Sequence, residues 1–149
     1  MRVAWWPGSR RGDDGSVAIE AAIILPSLIM FLCLAIAGGR IVTSSAKVDA
    51  AAEDAAREAS IHRTAASAQS AARAAAAESL NDQGIACSST SVHVNTGGLG
   101  VPVGQVGTVT VTVSCTVQLS DLLLPGAPGA RTLTSTATSV VDLYRQRGV

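Results

Sequence analysis

The spacing of hydrophobic and polar positions changes twice along the chain. Residues 17–37 are apolar almost throughout, interrupted by Glu20, Pro26 and Ser27. At 1.5 Å per residue such a run makes a helix about 30 Å long, the thickness of the hydrocarbon core of a bilayer. Residues 41–80 are dense in alanine with Glu, Arg, Asp and Gln between, a composition of strong helix formers. This stretch predicts two helices, the first ending near Ala59. Thr64 is placed to cap the second, which runs through 71–77 to Leu80 and stops at Asn81-Asp82-Gln83-Gly84. Beyond Gly84 the period becomes two. Val109, Val111, Val113, Cys115 and Val117 alternate with Thr108, Thr110, Thr112, Ser114 and Thr116, the pattern of a half-buried antiparallel strand. A shorter strand around 91–94 precedes it across the glycine-rich loop 96–100, and a third around 132–143 follows the turn 122–129.

The fold class implied is α+β: a long N-terminal transmembrane helix continuing into an alanine-rich helical stalk, then a small three-stranded antiparallel β-meander. The expected divisions are a leader over 1–15, the transmembrane helix over 16–39, the stalk over 40–83 and the meander over 84–149. Pro26 removes one backbone hydrogen bond and is expected to kink the helix. Gly38-Gly39 is expected to loosen it, with Arg40 placed to extend its guanidinium into the head groups. The alanines of the stalk have two readings: plain helix propensity, or flat faces that let neighbouring subunits approach closely.

Charge sets the orientation. Arg2, Arg10 and Arg11 precede the span, whereas Arg40 and Lys47 after it are soon offset by Asp49, Glu53 and Asp54. The positive-inside bias puts the N-terminus in the cytoplasm and the longer remainder outside the cell membrane. Of the three cysteines, Cys33 lies in the apolar helix as a free buried thiol, while Cys87 and Cys115 fall in the extracytoplasmic part. An oxidising compartment predicts a disulfide between them. If Cys87 stood directly opposite Cys115, the odd residues of the first strand would share the valine face, yet Val92 and Val94 are even. A one-residue slip flips every side chain, so the pattern predicts a bulge with one extra residue within 88–91.

Composition narrows the function. The formal net charge is zero and no basic run is interleaved with aromatics, so the electrostatic footprint of a nucleic-acid binder is missing. The two histidines, His62 and His93, have no ligand-spaced companions, and no nucleophile motif or phosphate loop is present. The expectation is a non-enzyme with no cofactor, no metal and no small-molecule substrate. Aromatics are scarce, and a domain of Ala, Val, Thr and Ser buries little area per residue, so the folded margin is expected to be thin and partners to matter. Glu20 stands out. A carboxylate inside a span costs roughly 2.5–3.5 kcal/mol at mid-membrane and less near the interface, which marks it as a functional position. An alternative reading takes the N-terminus as a signal peptide cut after Ala37 or as a plain anchor, leaving a secreted or membrane-anchored binding module.

Arg10-Arg11-Gly12-Asp13-Asp14-Gly15, then Ser16-Val17-Ala18-Ile19-Glu20, then an apolar helix containing Pro26, resembles a type IV prepilin N-terminus. More narrowly it is similar to the TadE-like pseudopilins of tight-adherence (Flp) pilus systems, of the actinobacterial kind. The resemblance implies cleavage by a prepilin peptidase between Gly15 and Ser16, leaving Glu20 as the fifth residue of the mature chain. Glu20 and Pro26 are then assembly residues, and the implied partners are membrane lipid, the prepilin peptidase, other pilins or pseudopilins and pilus assembly proteins. Ala21 stands where major Flp pilins carry an aromatic, which points to the minor pseudopilin branch. A carboxylate one turn from the new Ser16 ammonium would supply the partner that a charged amine near hydrocarbon needs.

Overall fold

The computed structural model describes residues 14–122 and 128–144. Residues 1–13 of the expected leader and 123–127 of the expected turn lie outside the described residues. The elements follow in the order α1 (Asp14–Ile61), α2 (Ala65–Asp82), β1 (Ser89–Asn95), a 3-10 turn (Gly97–Gly100), β2 (Gly107–Gln118), α3 (Leu119–Leu122) and β3 (Ala130–Val141). This is the α+β arrangement expected, a long apolar helix and a second helix before a three-stranded antiparallel sheet. The chain divides into two compact units, one ending at Ile36 and one beginning at Ala37.

In the first unit α1 carries Pro26 without a break in its helical assignment. No side chain from Ala18 to Ile36 is buried. The apolar residues cover every side of the helix, with Ile19, Ile23, Leu28 and Phe31 all more than half exposed. A helix that is apolar all round belongs in a core or in lipid.

In the second unit the last part of α1 ends at Ile61, close to the end expected near Ala59, and Gly38-Gly39 does not interrupt it. Thr64, in extended conformation, caps α2: its Oγ1 accepts from the Ser67 N–H at 3.2 Å. The other end is closed by the sequence that predicted it. Gly84 takes φ +67°, and the Gly84 N–H donates to Asn81 C=O while the Ile85 N–H donates to Leu80 C=O. This paired closure requires a left-handed residue, which glycine supplies without a Cβ penalty. Lys47 Nζ donates to the Gln83 carbonyl at 2.7 Å, and Gln83 Nε2 donates back to the Lys47 carbonyl at 3.4 Å, tying the end of α2 to α1.

The alanines have an internal use. Ala68, Ala72, Ala76 and Leu80 recur every four residues on α2 and are buried, as are Val48, Ala51, Ala52, Ala55, Ala56 and Ala59 on α1. Residues four apart share a helix face, and methyl side chains let that face lie close to its neighbour. These faces are therefore filled within the chain, a use that neither plain helix propensity nor packing against other subunits describes.

The sheet has the order β1-β2-β3 with antiparallel neighbours. Val109, Val111, Val113, Cys115 and Val117 are buried, joined by Leu133 and Val141 of β3. On the opposite face Thr110–Thr138, Thr112–Thr136, Ser114–Thr134 and Thr116–Thr132 form cross-strand hydroxyl pairs at 2.9–3.1 Å. Cys87 does not stand opposite Cys115 in the ladder: Thr90 does. Nor is there an extra residue inside β1: the ladder runs one to one from Ser89↔Thr116 to Asn95↔Thr110. Val92 and Val94 keep the valine face by pairing with Val113 and Val111. The parity conflict dissolves at the strand's edge. Ser88 lies in a bend before β1, where its N–H and its hydroxyl both donate to the Thr116 carbonyl, at 2.7 and 2.9 Å.

The 3-10 turn packs its Leu99 into the core. A Cβ added at Gly98 would overlap the backbone of Thr108 in β2, which cannot move aside without disturbing the ladder, whereas one added at Gly100 meets open space. Gly98→Ala is therefore expected to lower stability by about 1–3 kcal/mol, as overpacking does, and Gly100→Ala by much less. Chemical denaturation of the detergent-solubilised protein compares the two midpoints.

Candidate functional site

The candidate residues fall into two groups, one in each unit. Gly15 and Ser16 lie in the first turn of α1, which begins at Asp14. Glu20 follows one turn after Ser16, about 6 Å along the axis. Its side chain is exposed, and it is the sole charged residue from Ala18 to Gly39. Helical sequence spacing thus puts the Ser16 and Glu20 positions on one side of the same helix. Pro26 lies six residues further, inside the helix. Having no N–H, it leaves the carbonyl one turn earlier without its helical donor. The next residue, Ser27, turns its hydroxyl back and donates to the Ile23 carbonyl at 3.0 Å, so a polar side chain is kept satisfied within the helix.

The helix is long and apolar enough to cross a membrane. Its most apolar window has mean hydropathy 2.5, and none of that window is buried. Cys33 is a free thiol on the surface of this helix.

The second group is the cysteine pair. Cys87 and Cys115 are joined as a disulfide with Cα atoms 5.4 Å apart. Cys115 is fully buried on the valine face of β2, and Cys87 packs partly buried against the same core. The bend at Ser88 is what brings Cys87 to Cys115 from outside the ladder.

Among the described residues, the polar clefts of the second unit include two of similar size. One, of about 460 Å³, is lined by Asp49, Glu53, Ala56 and Arg57 of α1 and residues 135–139 of β3. The other, of about 480 Å³, lies along α1 and α2 and includes Asp54, Glu58, Glu78 and Asp82. Ser79 Oγ donates to Asp54 Oδ2 at 2.8 Å, and Glu58 meets His62 at 3.4 Å. Among the described residues no group of three or more His, Cys, Asp or Glu side chains gathers to hold a metal. The Lys47–Gln83 tie, the Ser139–Ser60 hydroxyl contact at 3.0 Å and the threonine ladder were not foreseen from the sequence. The strict Val/Thr alternation was a signal for the last of these, but its partners depend on the register.

Residues 15–57 match the model of the family described as TadE-like protein. No curated protein and no solved structure matches the chain significantly. The match begins at Gly15 and takes in Ser16, Glu20 and Pro26, with the whole apolar helix. Over residues 15–57 the chain is similar to the TadE-like family.

Proposed function

We propose that the chain is a minor pseudopilin of a tight-adherence (Flp) pilus, inserted by residues 16–39 with its N-terminus in the cytoplasm and its sheet outside. In this reading a prepilin peptidase removes 1–15 by cutting after Gly15. The helical segment 40–83 carries the meander of 84–149 away from the membrane. Partners are other pilins or pseudopilins and the assembly proteins that receive them. The carrying observation is the TadE-like match, which starts at Gly15 and contains the span's lone carboxylate.

The chemistry supports the same roles. Cutting after Gly15 creates an ammonium at Ser16, and such a charge near hydrocarbon is costly unless paired. Glu20 of the same or a packed neighbouring helix supplies the partner, so it sets axial register between subunits. N-terminal sequencing of the protein from its native membrane is expected to read Ser16 first. A first residue of Gly38 would instead identify a cleaved signal peptide and a secreted module, and would overturn the proposal.

A further inference from the structure

The outer edge of β3 offers a strand-pairing surface that no role described above uses. The Leu119 N–H donates to Gly129 C=O at 2.9 Å, one step beyond the Gln118↔Ala130 pair. Bonded and non-bonded pairs alternate in an antiparallel ladder, so the odd residues of β3 exchange hydrogen bonds with β2. The even residues Thr132, Thr134, Thr136, Thr138 and Val140 therefore turn their N–H and C=O groups away from it. The hydroxyl contacts agree. Thr136 and Thr138 touch Thr112 and Thr110, and side chains approach most closely in non-hydrogen-bonded pairs.

β3 ends the sheet, and while the threonine hydroxyls at these positions pair with β2, among the described residues their outward backbone N–H and C=O groups have no hydrogen-bond partner. Exposed edges are ordinarily blunted by charge, proline or a bulge. β3 contains no proline and a single charge, Arg131 near its start, so that residues 132–141 are uncharged, and the pairing with β2 is one to one. Alongside the edge lies the cleft between residues 135–139 and Asp49, Glu53 and Arg57 of α1.

We propose that this edge pairs with β3 of a second copy of the chain, antiparallel about a two-fold axis at Thr136. Thr136 then faces its counterpart, Thr134 faces Thr138 and Thr132 faces Val140, forming roughly ten backbone hydrogen bonds. The threonine face continues across the junction, and no like charges oppose one another along the strands. Charge on α1 selects a second copy over an arbitrary extended segment. Asp49 and Arg57 are two turns apart with Glu53 midway, beside the middle of the strand. A two-fold axis there directs Asp49 of each copy towards Arg57 of the other. Glu53 approaches its counterpart, a repulsion that Arg57 one turn away offsets.

The test follows the monomer–dimer equilibrium of the full chain in detergent by sedimentation. Thr136→Pro removes an outward N–H and leaves the bonds to β2 intact. It is expected to raise the dimer Kd at least about tenfold with circular dichroism unchanged. Asp49→Arg and Arg57→Asp are exposed and each should weaken the dimer, while the two together restore it, because the swap preserves attraction across the axis. This charge set reads out even if Thr136→Pro impairs folding. A wild-type chain that stays monomeric overturns the proposal. So does a folded Thr136→Pro chain that dimerises like wild type, or a double swap as weak as the single changes.

Discussion

Replacing Cys87 and Cys115 together by alanine is expected to destabilise the second unit by roughly 3 to 4 kcal/mol, because the bridge closes a loop of 28 residues. The loss is large relative to what the core can supply. The largest fully buried side chains are Val48, Val109, Val111, Val113 and Cys115, with no buried aromatic among them. Domains are stable by about 5–15 kcal/mol, and a core of methyl and isopropyl groups sits low in that range. Thermal denaturation should fall by roughly 10–20 °C. Thiol labelling of the non-reduced, denatured wild type should find Cys33 alone reactive. A second reactive thiol, or an unchanged midpoint in the double variant, would show that the bridge does not hold this unit.

The elements were legible because their periods are physical. A side-chain repeat of two needs one buried and one exposed face, and β2 shows it in every residue from Val109 to Val117. Gly84 and Thr64 marked the ends of α2 because a left-handed closure and a side-chain acceptor each demand particular residues. The extra residue expected in β1 is absent for an equally physical reason. A disulfide constrains the separation of two Cα atoms, 5.4 Å here, and not their alignment in a ladder, so the bend at Ser88 could satisfy it from outside β1. The alanine faces were ambiguous because burial depends on what lies opposite, which spacing along one helix cannot reveal.

The candidate site was partly readable. A single carboxylate in an apolar run, five residues after Gly15, is conspicuous whatever surrounds it, and the TadE-like match covers the same residues. In the proposed function the groups that would answer Glu20 belong to a cleaved chain end and to other chains, so neither the sequence nor one folded chain displays them. The edge of β3 lay hidden differently. Its alternating threonines could be read, but which of them carry outward N–H groups follows from a single hydrogen bond at the end of the ladder, Leu119 to Gly129.

Glu20→Ala is expected to separate insertion from assembly. Removing a carboxylate from an apolar helix eases its transfer into lipid, by up to a few kcal/mol if the group lies deep, so the variant should reach the membrane at least as abundantly as wild type. Gly15 and Ser16 are untouched, and cleavage between them should persist. The proposed pairing with the Ser16 ammonium is lost, however. An unpaired charge at a helix contact costs about 3–5 kcal/mol, and 1.4 kcal/mol is a factor of ten in an equilibrium. Recovery of the variant in pilus or co-purified assembly fractions should therefore fall at least about a hundredfold while membrane abundance holds. Glu20→Asp, which keeps the charge on a shorter stem, should restore part of it. Quantitative immunoblotting of membrane and pilus fractions measures both quantities at once, and wild-type recovery of Glu20→Ala in the assembly fraction would remove Glu20 from any role in register.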